Sequence, residues 1–297
     1  MLRPIVSRLI PVMIAFVSMP AMSLSIRDDR TFAQYTTQVN TAPYDAAGRF
    51  NNSQSGTLIA PNWVLGAAHI GGTLSTFTAS DGTTVAVTQR IIFPGDGDAG
   101  NAVDGNDFAL FELAAPIHSV SIAQLHDPTA TGVNYAALLT QIDGLTAVYS
   151  TGGETGTGDV GVPITQTGTR DVLAGTNVID STGYDFGNGV INNIAVSDFD
   201  DPTSGDPITN LETGIVRKDS GGGLWVDLSN GEGPVLIGVH SSVTDPDQDN
   251  ILGEYDQLNF STVLTNDAYN WINTTVPEPT SFALLLAGGL MVLRRRR

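Results

Sequence analysis

Short apolar runs separated by turn-forming residues recur along most of this sequence and constrain its fold. The runs are rich in Val, Ile, Thr and Phe, and Gly, Asp, Asn and Pro lie between them. This spacing is typical of strands in an all-β protein. The clearest candidate strands are residues 56–60, 63–69, 83–93, 108–113, 145–150 and 234–243. The sequence therefore predicts an all-β fold.

One segment predicts a helix, because Val263, Trp271 and Ile272 fall on one helical face of residues 261–274 and Ser261 can cap its start. A polar break at residues 125–132 divides the candidate strands into two groups, which predicts two packed β units. The glycine-rich residues 151–161 lack the Gly-Lys-Ser/Thr ending of a phosphate-binding loop. We interpret that stretch as a surface loop.

Both ends of the chain carry features of export signals. Residues 1–25 combine two arginines, an apolar run and small residues, which is typical of a signal peptide cleaved after Ser23 or Ser25. Residues 276–297 contain Pro-Glu-Pro, an apolar run and four final arginines, an order that resembles the PEP-CTERM sorting tail of Gram-negative bacteria. The resemblance implies export to the bacterial envelope, at the cell surface or secreted, with signal peptidase and an exosortase as processing partners. A membrane anchor is the alternative at either end.

The charge of the chain limits its partners. The sequence carries 31 acidic and 13 basic residues, a net charge of −18, and six of the basic residues lie in the two terminal signals. The remainder is therefore strongly acidic, which disfavours nucleic acid and anionic lipid and favours solubility outside the cell. The chain has no cysteine, so burial or bound ions must stabilise it without disulfides.

Three residues that are far apart in the sequence, a histidine, an aspartate and a serine, are candidates for one catalytic site. His69 ends a candidate strand, Asp107 immediately precedes another, and Ser220 lies within Asp-Ser-Gly-Gly. This order resembles the trypsin-like (chymotrypsin-fold) serine proteases over residues 34–273. The resemblance implies two packed antiparallel β-barrels with a C-terminal α-helix and the three residues in the cleft between the barrels. The implied domains are a signal peptide (1–25), an N-terminal barrel (26–130), a C-terminal barrel with the helix (131–275) and a sorting tail (276–297).

The chemistry of such a site requires these residue types. A serine hydroxyl is a poor nucleophile at neutral pH, so Ser220 needs a base to take its proton. His69 is the expected base, and Asp107 is expected to orient the imidazole and stabilise its charged form. By the resemblance, the backbone N–H groups of Lys218 and Ser220 form the oxyanion hole. The family usually has glycine where Lys218 stands, so either the loop is arranged differently or the hole forms only with substrate.

Asp219, the residue before the expected nucleophile, suggests a role for the N-terminus that signal cleavage would create. In the family, the aspartate at the position of Asp219 pairs with a newly freed α-amine and orders the oxyanion loop. Cleavage after Ser25 would expose such an amine on Ile26, so we predict that Ile26 pairs with Asp219. The alternative is that Asp219 caps a local turn.

The resemblance also implies a substrate-binding site for a protein or peptide. Gly214 takes the position at the base of the specificity pocket, with Ile215 next to it. Ser241 and Ser242 lie on the strand expected to pair with the substrate backbone, and Val243 would narrow the pocket. Because no acid stands at the base, we expect a small or apolar side chain to bind there.

An acidic stretch near the C-terminus offers a candidate ion site. Asp245, Asp247, Asp249 and Asp256 stand at positions one, three, five and twelve of a calcium-loop count, although the central glycine is missing. A solvated acidic loop is the alternative. The triad chemistry requires no cofactor, and calcium is the candidate bound ion.

Three functions remain open at this point. The first is an exported, monomeric serine endopeptidase. The second is a catalytically weak or inactive binding module with the same fold, which Lys218 would favour. The third is a calcium-stabilised surface protein, which would leave the three motifs unexplained.

Overall fold

The structure is a computed structural model that describes residues 24–51, 54–71, 74–95, 105–127, 135–163, 171–187, 189–245 and 247–277. The predicted signal peptide, apart from Leu24 and Ser25, lies outside the described residues. The predicted sorting tail, apart from Val276 and Pro277, does so too. None of the helices within the described ranges is both long and apolar enough to cross a membrane.

Strands dominate the described chain, which confirms the all-β prediction. In chain order they are β1 (Leu24–Ile26), β2 (Ala47–Phe50), β3 (Ser55–Ala60), β4 (Trp63–Gly66), β5 (Thr76–Ala79), β6 (Thr84–Ile92), β7 (Ala109–Leu113), β8 (Thr146–Thr151), β9 (Thr155–Thr157), β10 (Val162–Pro163), β11 (Leu173–Val178), β12 (Ser181–Asp185), β13 (Val190–Asp198), β14 (Thr213–Gly214), β15 (Gly223–Asp227), β16 (Pro234–Val243), β17 (Ile251–Leu252) and β18 (Leu258–Val263). The helices are α1 (Phe32–Val39), α2 (Tyr135–Ile142) and α3 (Asn266–Thr275), with a short 3₁₀ helix at Tyr44–Ala46.

The first unit is a closed barrel of β2 to β7. Its strands follow the order β2-β3-β4-β7-β6-β5, and neighbouring strands are antiparallel. Phe50, Phe77 and Phe111 are buried together in its interior, with the ring centroid of Phe50 5.4 Å from that of Phe77 and 4.5 Å from that of Phe111. Closure leaves no unpaired strand edge and gives the apolar faces a shared core. This unit is the first of the two predicted barrels.

The second unit is a seven-stranded antiparallel sheet in the order β11-β8-β15-β16-β18-β13-β12. Within the described residues, its outer strands β11 and β12 are not paired with each other, so hydrogen bonds do not close it into a barrel. The outer edge of β11 is occupied instead, because the N–H of Thr176 donates to the carbonyl of Leu211 at 2.7 Å. The remaining strands form two small sheets, β14-β1-β9 and β10-β17.

The N-terminal residues lie against the second unit, although the predicted domains assign them to the first. β1 pairs with β14 in antiparallel and with β9 in parallel orientation. α1 buries Tyr35, whose hydroxyl donates to the carbonyl oxygen of Glu212 at 2.8 Å. Residues 24–39 therefore pack beside β14 and against the second unit.

The C-terminal helix is present but starts later than the sequence predicts. Residues 261–263 belong to β18, and Ser261 pairs with Ala195 in β13. The helix begins at Asn266, and the side chain of Thr265 accepts a hydrogen bond from the N–H of Ala268 at 3.1 Å as its N-cap. Cross-strand pairing on both edges of β18 overrides the helical spacing of its apolar residues.

Candidate active site

His69 and Asp107 lie at neighbouring ends of two paired barrel strands. His69 follows β4 and Asp107 precedes β7, and Gly66 and Ala109 are register partners in these strands. Antiparallel pairing places the end of one strand beside the start of the other. The fold therefore brings the two residues together across a sequence separation of 38.

Ser220 comes to this pair from the second unit. It precedes β15, and its carbonyl oxygen accepts a hydrogen bond at 3.0 Å from the N–H of Ser55, the first residue of β3. The next residue, Gly221, donates its N–H to the carbonyl of His240 in β16 at 2.8 Å. These contacts fix the serine between the barrel and the sheet.

The three side chains form one hydrogen-bonded line. The Oδ2 atom of Asp107 lies 2.6 Å from Nδ1 of His69, and Oδ1 accepts from the backbone N–H of His69 at 2.8 Å. The Nε2 atom of His69 lies 2.8 Å from Oγ of Ser220. Because the carboxylate accepts the Nδ1 proton, Nε2 is left to accept the proton of the serine hydroxyl. The arrangement can move a proton from Ser220 to His69.

Ser241 has a contact that sequence reasoning missed. It was predicted to pair with substrate, but its buried hydroxyl donates to Oδ2 of Asp107 at 2.6 Å. Its carbonyl oxygen lies 3.4 Å from Oγ of Ser220. The carboxylate is therefore oriented by Ser241 as well as by His69. The two residues are 134 positions apart, so no local pattern could indicate the contact.

Solved structures share this architecture, although no described protein-family model matches the sequence. A Glu endopeptidase solved in complex with MPD aligns with a TM-score of 0.50 and 17% identity, over 80% of this chain and 93% of that chain. Neuropsin, a serine protease expressed in the limbic system of mouse brain, aligns with a TM-score of 0.52 and 16% identity, over 80% and 97%. The chain has the chymotrypsin fold. At these identities, the likeness shows the fold alone.

Residues 216–220, named the oxyanion loop after the role that the resemblance predicts for them, adopt an unusual backbone conformation for their sequence. Lys218 has a φ of 73°, in the left-handed region that costs a residue with a Cβ atom about 1–2 kcal/mol. The backbone N–H groups of Lys218 and Ser220 donate to no acceptor within the described part of the chain. Both donors are thus available to a substrate oxygen. In this chymotrypsin fold, lysine takes the conformation that glycine usually supplies.

A cleft of roughly 360 Å³ opens beside the serine. It is lined by Gln54, His69, Ile215, Val216, Arg217, Lys218, Ser220, Ser241, Ser242, Val243 and Leu252. Four predicted substrate-binding residues, Ile215, Ser241, Ser242 and Val243, are among them. Gly214 is not, because it is buried in β14 and pairs with Ser25 of β1. Sequence reasoning did not assign Arg217 to the cleft.

The structure does not bring Ile26 to Asp219. Ile26 lies within β1, where it pairs with Thr213 and Thr157. Asp219 is buried, and its carboxyl group accepts hydrogen bonds from other residues of the chain. Burial raises the pKa of Asp219 to about 8, against the lowering effect of these hydrogen bonds. In the uncleaved chain, donors from Thr151, Gly153 and Val216 therefore bind this carboxyl group, and pairing with a freed amine of Ile26 stays a prediction.

These donors include part of the glycine-rich stretch at residues 151–161. Thr151 to Glu154 are buried, and Thr151, Gly153 and Glu154 donate hydrogen bonds to residues of the oxyanion loop. The interpretation of this stretch as a surface loop is therefore wrong at its start. Strand pairing explains the difference, because Thr151 ends β8, which is paired on both edges, with β11 and with β15.

Three of the four candidate calcium ligands lie together. Carboxylate oxygens of Asp245, Asp247 and Asp249 fall within 4.8 Å of one another, and Asp256 is not in this group. Oxygens of all three also accept backbone N–H groups from residues 248 to 251. The oxygen-rich set suits a hard cation, yet it lacks the bidentate carboxylate that usually completes a calcium loop. Calcium binding stays a prediction.

Glu212, which immediately precedes β14, has an unusually basic carboxyl group. Its side chain is buried, and Oε2 accepts from the N–H of Thr209 at 2.6 Å and from the hydroxyl of the same residue. Burial raises the pKa of Glu212 to about 7, and the negative charges of Asp200 and Asp198 act in the same direction. Between about pH 4.5 and pH 7, this carboxyl group is therefore protonated to a greater extent in the folded chain than in the unfolded chain.

The substitution Glu212→Gln is expected to make the variant more stable, relative to the wild type, as the pH rises from about 4.5 to about 7.5. In this window the folded carboxyl group binds more proton than the unfolded one, so the wild-type free energy of unfolding falls with pH. Glutamine does not titrate and escapes that loss. Thermal unfolding temperatures of both proteins across the window test this. A difference that stays constant with pH would contradict it.

Proposed function

We propose that this protein is an exported serine endopeptidase that hydrolyses peptide bonds through an acyl-enzyme intermediate. The single observation that carries the proposal is the hydrogen-bonded line from Asp107 through His69 to Ser220. The chymotrypsin fold shared with two serine proteases agrees with it. The line joins residues from the two units of the fold, as the resemblance implies.

The first chemical step forms an ester on the serine. Oγ of Ser220 attacks the carbonyl carbon of the scissile bond while its proton moves to Nε2 of His69. Asp107 holds the Nδ1 proton and stabilises the imidazolium that forms. His69 then gives its proton to the departing amine, and the C–N bond breaks. Water then attacks the ester carbonyl while its proton moves to Nε2 of His69. The bond between the acyl carbon and Oγ breaks, His69 returns the proton to Oγ of Ser220, and the acid is released.

The negative oxygen of each tetrahedral intermediate needs donors that do not have to reorganise. The N–H groups of Lys218 and Ser220 suit this role because they are not engaged by other acceptors in the described residues. Such donors contribute most when they are fixed before the reaction starts. The left-handed φ of Lys218 supports this assignment and weakens the sequence argument for an inactive binding module.

The remaining features of the proposal concern location and substrate. The terminal signals support export to the envelope of a Gram-negative bacterium, with signal peptidase and an exosortase acting on the chain and the protein working as a monomer. Ile215 and Val243 line the cleft and support a small or apolar side chain of a peptide as its occupant. No cofactor takes part in the steps above.

A fluorophosphonate probe tests the proposal, because it phosphonylates only a serine that is activated by its surroundings. We expect one equivalent of label per folded protein, located on Ser220 by mass spectrometry of the peptides. Ser119→Ala, which removes an exposed hydroxyl, is the matched control and should label like the wild type. Heat-denatured protein should not label.

The outcomes of this experiment separate the candidate functions. Label on Ser220 together with cleavage of peptide substrates supports the endopeptidase. Folded protein that takes up no label and cleaves no peptide overturns it in favour of a binding module with the chymotrypsin fold. Chelation by EDTA that greatly lowers the unfolding temperature of such an inactive protein would favour the calcium-stabilised surface protein.

A further inference from the structure

The carboxyl group of Asp219 is held by three donors from the chain itself. Its Oδ1 accepts from the hydroxyl of Thr151 at 2.6 Å and from the N–H of Gly153 at 3.1 Å. Its Oδ2 accepts from the N–H of Val216 at 2.7 Å. Asp219 is fully buried, so these bonds replace the water that would otherwise solvate the group.

Gly153 approaches the oxyanion loop more closely than any other residue type could. A Cβ atom at this position would lie 2.2 Å from Oδ1 of Asp219 and 2.7 Å from its backbone nitrogen. Next to it, Glu154 donates its N–H to the carbonyl of Arg217 at 3.1 Å, and its carboxylate lies 3.5 Å from Nζ of Lys218. Thr151, Gly153 and Glu154 thus contact the loop on both sides of Lys218.

The strand that carries Thr151 fixes the position of its hydroxyl. Thr151 is the last residue of β8, and the preceding residue, Ser150, is the register partner of Gly223. Gly223 begins β15, directly after the nucleophile segment. The donor therefore ends one strand, and the nucleophile segment leads into the strand that is paired with it.

Ile26 takes part in a different set of contacts in the described residues. Ile26 is 1% exposed and lies in the middle strand of the small sheet, with β14 on one side and β9 on the other. Its carbonyl accepts the N–H of Gly158 at 3.0 Å. Within the described residues, Thr151, Gly153 and Val216 are the donors to the carboxyl group of Asp219. The loop has its left-handed Lys218 while residues precede Ile26.

We propose that Thr151 is a positioning residue that acts through Asp219 to hold the oxyanion loop in its working shape, so that activity requires no free α-amine at Ile26. This inference rests on the proposed endopeptidase function. It makes the enzyme competent as soon as it folds, without a proteolytic activation step. Control of the activity then depends on export and on substrate access.

Exchange of Thr151 tests the positioning role. Thr151→Val keeps the shape of the side chain but removes one of the two donors to Oδ1 of the buried Asp219, so kcat should fall about 10- to 100-fold. KM should change little, because the oxyanion hole acts mainly in the transition state. Thr151→Ser keeps the hydroxyl and should restore kcat to within about threefold of the wild type. Thr146→Val, at the exposed start of the same strand, is the matched control.

The second arm tests the N-terminus and does not depend on how the Thr151 variants fold. One protein starts at Leu24, and another carries a Ser-Gly extension ahead of Leu24. We expect kcat/KM values within about twofold of each other, because neither α-amine reaches Asp219. Activity that appears only after cleavage at Ile26 would overturn the inference.

These outcomes are distinguishable from failure of the proposed function. If the wild type neither labels nor cleaves, the endopeptidase proposal is the one that fails. If the wild type is active and Thr151→Val keeps its full kcat, the positioning role of Thr151 is wrong. Equal losses in Thr151→Ser and Thr151→Val would also contradict it, because the hydroxyl would then be irrelevant.

Discussion

Replacing Ser220 by alanine is expected to lower kcat for peptide hydrolysis by about 10⁴- to 10⁶-fold. The substitution removes the only atom of the candidate site placed to form the ester, the Oγ that lies 2.8 Å from Nε2 of His69. The donors of Lys218 and Ser220 remain, so a small residual rate above that in water is expected from them. Steady-state hydrolysis of a peptide library gives the comparison.

The control for this prediction separates chemistry from folding. The side chain of Ser220 is only partly buried, so Ser220→Ala should unfold within a few degrees of the wild type. Ser119→Ala, on the surface, should keep the wild-type kcat. A Ser220→Ala protein that is folded and retains a tenth or more of the wild-type activity would show that another residue is the nucleophile.

The partnership of His69, Asp107 and Ser220 was predictable from their chain order and from the Asp-Ser-Gly-Gly segment, which resemble the trypsin-like proteases. Four of the strands nearest to them, β3, β4, β7 and β16, match candidate strands closely, and β16 matches residue for residue. Strand ends that meet in a sheet also bring their flanking residues together. The apolar pattern located strands beside the three residues, and the resemblance to trypsin-like proteases predicted that they meet.

Contacts between distant segments were not predictable in the same way. β1 adds to the second unit through a parallel pairing of Leu24 with Thr155, and nothing in a run of three residues specifies such a partner. The same holds for Thr151 and Asp219, which are separated by 68 positions. A glycine-rich stretch looks like a surface loop in sequence, whereas in the fold its glycines permit close approach to a buried carboxyl group.

The C-terminal helix shows a third reason why a prediction from sequence and the structure can differ. Val263 and Leu264 fit a helical face, but the hydrogen bonds of β18 to β13 and β16 involve residues up to Val263. Propensity and spacing act over one or two turns, and a central strand position satisfies more backbone groups at once. The helix therefore begins only where the sheet ends.

Substitution of Asp107 by asparagine is expected to reduce kcat/KM by about 10⁴-fold without unfolding the protein. In the wild type, one carboxylate oxygen accepts the backbone N–H of His69, and the other accepts both the Nδ1 proton and the hydroxyl of Ser241. Asparagine offers one oxygen and one NH₂ group for these three donors. The NH₂ group of the amide must therefore face at least one of these donors, with which it cannot form the original hydrogen bond.

Both orientations of the amide damage the site. If the NH₂ group faces Nδ1, His69 must hold its proton on Nε2 and cannot take the proton of Ser220. If the NH₂ group faces the backbone N–H of His69, two donors meet, and the imidazolium of the transition state loses its negative partner. Asp143→Asn, an exposed change of the same kind, is the matched control. Activity of Asp107→Asn within tenfold of the wild type would mean that the carboxylate charge does not support the imidazole, and the proton path from Ser220 would need a different base.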